Sequence, residues 1–270
     1  MRSGTSRSVA LWCWYHGGAF RGYQSQPEGP TVQDTLALAF RQAGLSRTAV
    51  PSGRTDLGVH ARMQVLSMRV VERHDDQELA RRMNEKLSQD LGIALVKPAP
   101  PHFHCAWSAS AKVYRYRLLT RDAPHWDSHA WRVDVVPSQV RAALEPFIGT
   151  HDFYRFHDNS SARQPRTLHA VNLYERDGGL VELELVGAGF ARYMVRYLVG
   201  AAVGLSRGEL EESTVHAGLH QQVRFRGIKA PAQGLVLWEV RYPPELDPFT
   251  AEERRLAAGV PATPPFVEHA

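Results

Sequence analysis

Hydrophobic periodicity along this chain switches between strand-like and helix-like in a set order, and that order is what most restricts the fold. Ser8 to Tyr15 is a continuous apolar and aromatic run closed by His16-Gly17-Gly18, the pattern of a buried strand. Thr31 caps a helix running to Ala43, in which Val32, Leu36, Ala39 and Phe40 form the apolar face and Gly44 is the stop. Thr48 to Ser52 reads as a short strand, Gly53 to Gly58 as a turn, and Val59 to Val71 as a long strand. Asp75 or Asp76 caps a second helix with Leu79, Met83 and Leu87 in register, and Gly92 to Lys97 is a strand ended by Pro98, Pro100 and Pro101. The order is β-α-β-β-α-β.

The second half repeats the order. Ala111 to Leu119 alternates as a strand, with Val113, Arg115 and Arg117 on one face and Tyr114, Tyr116 and Leu118 on the other. Ser138 caps a helix to Ile148, stopped by Gly149. Leu168 to Glu175 and Leu180 to Val186 flank Asp177-Gly178-Gly179, a hairpin signal. Phe190 to Leu205 is the most apolar helix, and Leu235 to Tyr242 is the last strand. No sequence repeat underlies the duplication, which rests on element order alone. The expected fold class is therefore α+β, with two ferredoxin-like halves over residues 1–104 and 105–246. A Pro- and Glu-rich tail over 247–270 is expected to be loosely held.

Composition narrows the function classes. Cys13 and Cys105 are the only cysteines, both among apolar or aromatic residues, and no Cys-x-x-Cys pair exists, so no disulfide framework or zinc finger is implied. The N-terminus is basic and polar and no apolar h-region of a signal peptide is read after it, and no run approaches the ~18 apolar residues of a membrane span. The expected location is the cytoplasm. Net charge is +4, and only four of the 32 basic residues are Lys. Arginine suits phosphate binding and base stacking, although an arginine-rich codon bias accounts for the same count. His102-x-His104-Cys105 has the look of a metal cluster, but no Glu-containing zinc motif accompanies it, and neither metal nor cofactor is expected.

The segment richest in chemistry is Ser52-Gly53-Arg54-Thr55-Asp56-Leu57-Gly58-Val59-His60. Two glycines within six residues imply a tight turn, and a carboxylate beside a guanidinium stays ionised and aimed. On spacing alone, a β-turn with a surface ion pair is the simpler reading. Gly53-Arg54-Thr55-Asp56-x-Gly58-Val59-His60, however, resembles the catalytic motif of the tRNA pseudouridine synthase A (TruA) family. Further similarity follows in chain order over roughly residues 8–245. It includes Tyr15-His16-Gly17, Gly22-Tyr23-Gln24-x-Gln26, Val32-Gln33, Phe103-His104, and Ala111-Lys112-x-Tyr114-Arg115-Tyr116. It continues through His151-Asp152-Phe153-x-x-Phe156, Arg166-Thr167, Gly189-Phe190, Met194-Val195-Arg196, Val199-Gly200 and Gly234-Leu235-x-Leu237. The chain departs from the family pattern at His16, Tyr23, Ala106, Tyr197 and around Asn84 to Ser88, on loops and helices in reach of RNA.

The resemblance implies two ferredoxin-like halves that share a central, mostly antiparallel sheet, with helices on one side and a catalytic cleft between the halves. It implies a cofactor-independent enzyme that isomerises uridine at positions 38–40 of the tRNA anticodon arm, usually as a homodimer with one tRNA spanning both subunits. Asp56 is then the catalytic carboxylate. Arg54 pairs with it and takes the place of the extruded base, Tyr114 stacks on the uracil, Leu235 packs against the base, and Arg196 holds Asp56 or a nearby phosphate. Without the resemblance, Tyr114 and Leu235 read as core residues, while Arg196 is odd in an apolar helix because a buried guanidinium needs a partner. Arg21, Arg54, Arg62, Arg115 and Arg196 are the candidates for a basic surface flanking Asp56. The competing functions are a degenerate relative that binds or refolds RNA, a paralogue acting on another uridine or another RNA, and a metal-dependent hydrolase.

Overall fold

The structure is a computed structural model and describes residues 6–45, 49–71, 75–158, 162–220 and 227–267. The chain divides into two compact units, one of Met1–Ser110 with Leu237–Glu268, the other of Ala111–Val236 with His269–Ala270. The fold is α+β, and almost all strand pairing is antiparallel.

In the first unit, β1 (Ser6–Tyr15) is followed by α1 (Val32–Gln42), β2 (Val50–Pro51), β3 (His60–Val71), α2 (Asp76–Asn84) and β4 (Leu91–Pro98). β1 lies between β4 and β3, antiparallel to both, and β2 pairs along β3. Order 4-1-3-2 is the split arrangement expected from the sequence. The central position of β1 explains its composition: every residue from Val9 to Tyr15 is buried, so neither face needs polar side chains. α1 begins where the Asp34 N–H donates to the Thr31 hydroxyl (3.1 Å), and it buries the expected Val32, Leu36, Ala39 and Phe40. Asp75 is the cap of α2, accepting from the N–H groups of Gln77 and Glu78. Thr48, at the start of the expected second strand, lies outside the described residues.

In the second unit, β5 (Ala111–Leu119), β6 (Trp131–Arg132), α3 (Pro137–Leu144), β7 (Gly149–His151), β8 (Arg166–Glu175), β9 (Leu180–Gly187), α4 (Met194–Ser206) and α5 (Glu212–His220) follow in turn. The strand order is β5-β9-β8-β7, and β6 pairs in parallel with the end of β5. β5 and β9 place Arg117 opposite Glu182 and Arg115 opposite Glu184. Both cross-strand ion pairs form, at 2.7 Å and 3.1 Å, and the first is fully buried. Partnering of this kind is what lets charge sit inside a sheet.

Four helix expectations need correction. The second helix ends at Asn84, so Leu87 lies beyond it. The third helix ends at Leu144, not Ile148, because Pro146 offers no N–H and narrows the chain into a 3-10 turn over Glu145–Phe147. Pro137, preceded by Val136, occupies its first turn, so Ser138 is not the cap. The apolar helix starts at Met194, not Phe190, because Tyr193 adopts φ 64°, outside the right-handed helical region.

The last strand, β10 (Leu235–Arg241), opens in the second unit; from Leu237 onward it belongs to the first, where it lies beside β3. The break near residue 104 also shifts, to Ser110, because the segment before it packs into the first unit. The Cys105 N–H donates to Ser67 Oγ (2.9 Å), the Tyr242 hydroxyl donates to the Cys105 carbonyl (2.8 Å), and the Ser110 N–H donates to the Arg241 carbonyl (2.9 Å).

The tail expected to be loosely held over 247–270 is packed through its described part. Phe249 meets Trp12 edge-on at 5.9 Å, and Phe266 lies 4.8 Å from His16. The helix α6 (Ala251–Leu256) carries Arg254, whose guanidinium donates to Glu239 (2.9 Å), to the Val240 carbonyl (3.0 Å) and to both oxygens of Asp247 (2.8 Å). A capping box between Thr250 and Glu253 starts this helix. Thr250→Ala is expected to cost about 1 kcal/mol of stability, read as a lowered midpoint in urea denaturation; an unchanged midpoint would show that α6 does not contribute to the folded state.

Candidate active site

Asp56 sits on the loop joining β2 to β3, and buried polar side chains hold that loop from beneath. Gln64, fully buried on β3, donates from Nε2 to the Gly53 carbonyl (2.7 Å) and accepts on Oε1 from the Ser52 hydroxyl (2.7 Å). The hydroxyls of Tyr15 and Thr55 are 2.8 Å apart, both buried. The loop after β1 frames the other side: the Tyr23 N–H donates to the Thr55 carbonyl (3.0 Å), and the Gly17 N–H donates to His60 Nδ1 (3.1 Å). Two glycines permit this approach. Gly22, at φ 92°, would bring a Cβ to 3.2 Å from the Leu57 nitrogen, and a Cβ on Gly17 would lie 2.1 Å from the Val59 carbonyl oxygen. Inside the loop, the Val59 N–H closes a turn onto the Asp56 carbonyl (3.1 Å). Asp56 itself is half-buried. Six hydrogen bonds thus hold the loop, three of them through its own backbone, at Gly53, Thr55 and Asp56.

The second unit assembles the other candidates. Tyr114 and Tyr116 share a face of β5. Tyr114 is buried and meets Phe190 edge-on at 5.2 Å. The Tyr116 hydroxyl donates to the Pro231 carbonyl (2.8 Å), and burial raises its pKa far above the ordinary tyrosine value, so it stays protonated. Arg196, on the first turn of α4 and 8% exposed, donates from Nε to the Ala230 carbonyl (2.7 Å), while the Ala230 N–H donates back to the Arg196 carbonyl (3.1 Å). The partner demanded by a buried guanidinium is therefore partly a backbone carbonyl. A Cβ at Gly234 would sit 2.8 Å from the Tyr116 ring, so glycine lets the turn before Leu235 lie on that ring. Leu235 is buried. Tyr114, Arg196 and Leu235, distant in sequence, are thereby linked through Tyr116 and the 228–235 segment.

Not every expected residue takes the expected place. Arg62 is 4% exposed, lies 4.7 Å from the Trp238 ring centre, and donates to the Arg254 carbonyl (3.2 Å). Arg115 is buried against Glu184. Both are core cations and not part of a basic RNA-facing surface. Arg21 and Arg54 are exposed. Among the described residues no group of three or more His, Cys, Asp and Glu is placed to hold a metal, and no helix is long and apolar enough to cross a membrane. His104 stacks on Trp107 at 4.0 Å, and the Cys105 thiol donates to the Val50 carbonyl (3.0 Å). The supporting roles of Gln64, Tyr15 and Thr55 were missed in the sequence, where the available signal was a lone amide in an apolar strand.

Residues 143–243 match a family model described as tRNA pseudouridine synthase. The chain is 36% identical to the tRNA pseudouridine synthase A of Bordetella petrii, over 88% of this chain and 92% of that one. It is 34% identical to the protein of the same name from a Roseiflexus species, over 96% of both chains. Identity to that of Frankia casuarinae is 36%, over 93% and 94%. This chain belongs to the tRNA pseudouridine synthase A family.

Proposed function

We propose that this protein isomerises uridine to pseudouridine in tRNA, at positions 38–40 of the anticodon arm, with Asp56 as the catalytic carboxylate. The observation that carries the reading is the loop: six hydrogen bonds hold the segment around Asp56, and Asp56 itself is half-buried. Rigid presentation of one carboxylate is what this reaction needs. The N1–C1′ bond breaks, the uracil turns, C5 bonds to C1′, and the proton on C5 is lost as one returns to N1. Atoms and electrons balance without an oxidant, a reductant or water, so no cofactor is required.

The uridine must leave its stack, at a cost of a few kcal/mol. Tyr114 and Leu235 offset this by receiving the base, since stacking on an aromatic ring contributes about 1–3 kcal/mol. Exposed Arg54 takes the place of the departed base. Arg196 braces the 228–235 segment and presents the rest of its guanidinium to an anion. In this reading the enzyme works in the cytoplasm as a homodimer.

Release of tritium from C5-labelled uridine in tRNA, measured with and without EDTA, tests the reaction. Equal rates in both are expected. Activity lost in EDTA and restored by zinc would favour a metal-dependent enzyme, and no release at all would favour an RNA-binding relative. Mapping pseudouridine in tRNA from a deletion strain tests the positions, with loss confined to 38–40 expected.

A further inference from the structure

The loop between β4 and β5, in the first unit, holds out a ring that the reaction described above does not use. Trp107 is 86% exposed, the most of any large apolar side chain among the described residues. One face of it lies on His104, with the ring centres 4.0 Å apart and the planes 13° from parallel. The imidazole is itself held in place, because its Nδ1 accepts from the N–H groups of Ala106 (3.2 Å) and Trp107 (3.3 Å). The chain neighbours Ala106, Ser108, Ala109 and Ser110 are all small, so the indole stands clear of them.

The mount of this ring is rigid. The Ser108 N–H donates to the His104 carbonyl (2.9 Å) and the His104 N–H donates to Ser108 Oγ (3.0 Å), which closes a turn around Trp107. Phe103 meets Tyr242 edge-on at 5.0 Å on one side, and the Ser110 N–H is bound to Arg241 on the other. The Cys105 thiol, bonded to the Val50 carbonyl, fastens the turn to β2. β2 runs straight into the Asp56 loop, and a stretch as short as that from Val50 to Asp56 spans at most about 20 Å. An RNA seated on Asp56 therefore passes within reach of Trp107. A tryptophan stabilises a fold through the large apolar area it buries, and a ring left in water forfeits most of that. What the ring keeps is a flat face, fixed in direction and already backed by a second ring. Unpaired bases bind proteins by continuing such a stack, and a pre-set platform spares the cost of ordering it.

We propose that Trp107, backed by His104, is a stacking platform for an unpaired base of the tRNA other than the uracil that reacts. This rests on the tRNA reading but involves none of the reacting atoms. The test measures tRNA binding by Asp56→Asn protein, with and without Trp107→Ala, over a range of KCl concentrations. Loss of one stacked base is expected to weaken binding about tenfold at every salt concentration. The slope of log affinity against log salt should stay unchanged, because no phosphate contact is lost. Trp107→Phe, which keeps an aromatic face, should bind within about threefold of the parent. If Trp107→Ala does not fold, Trp107→Leu, apolar but without an aromatic face, should show the same tenfold loss. Parental affinity in a folded Ala or Leu variant would overturn the proposal, as would a loss that lowers the salt slope by the roughly 0.7–0.9 of one phosphate contact. Sedimentation of the same variants without tRNA supplies a further check: an unchanged oligomeric state is expected, and dissociation caused by Trp107→Ala would give the ring to a second copy of the chain and overturn the proposal too. Failure of the catalytic reading would show separately, as turnover by the Asp56→Asn protein.

Discussion

Asp56→Asn is expected to abolish pseudouridine formation, lowering single-turnover tritium release by at least about four orders of magnitude. Whether the carboxylate attacks the sugar, attacks the base or removes a proton to start a glycal route, each step uses an anionic oxygen that the amide lacks. The loop should keep its shape, because the bonds described for it run through the Gly53 and Thr55 carbonyls, the Thr55 hydroxyl and the Asp56 backbone carbonyl, all present in the variant. Affinity for tRNA should stay close to that of the parent, since binding a polyanion depends on cations elsewhere. Loss of chemistry with retained binding also separates a catalytic role from a structural one. Multiple turnover by Asp56→Asn protein free of wild-type enzyme would sink the assignment.

Much of the fold was legible because the strands and helices of the first unit carry clean periodicity. β5 matched its expected bounds, Ala111–Leu119, since polar and apolar side chains alternate through it. What could not be read depends on partners distant in the chain. Arg62 and Arg115 look like RNA-binding cations in sequence; tryptophan rings and a cross-strand glutamate make them core residues. The tail looks loose by composition, yet Arg254 ties it to Glu239 while Phe249 and Phe266 bury their rings. Helix α5 buries only Val215, Gly218 and Leu219, too weak a stripe to register as a periodic signal.

The candidate site divides in the same way. The Gly53–His60 segment is local, and its motif is visible in one stretch of sequence. Its support is not: Tyr15 meets the loop only because β1 and β3 are neighbours in the sheet, and Gln64 meets it only because β2 pairs with β3. Tyr114 and Leu235 depended entirely on resemblance, because a tyrosine in an alternating strand and a leucine at a strand start carry no chemical signature of their own, whereas Arg196 stood out as a guanidinium in an apolar helix. The structure ties Arg196 and Tyr116 to one segment, in the bonds from Arg196 to Ala230 and from Tyr116 to Pro231.

Gly17→Ala is expected to reduce kcat/KM on tRNA by about a hundredfold although residue 17 lies far from Asp56 in sequence. An added Cβ would stand 2.1 Å from the Val59 carbonyl oxygen, 2.3 Å from its carbon and 2.8 Å from the Gly58 carbonyl carbon. All three are backbone atoms, so no flexible side chain can swing aside, and the start of β3 must move or the loop after β1 must retreat. Either movement strains the bond from the Gly17 N–H to His60 and the turn that Val59 closes onto Asp56. Overpacking of this kind costs about 1–3 kcal/mol of stability. A displacement near 1 Å at a reacting group costs on the order of a hundredfold in rate. Gly18→Ala is the control: a Cβ there meets nothing within 4 Å, and activity should stay within about twofold of the parent. Measuring both variants by tritium release alongside urea denaturation separates the two effects. Near-parental activity for Gly17→Ala would mean that the loop tolerates displacement and that rigidity at Asp56 is not what the contact with β1 provides.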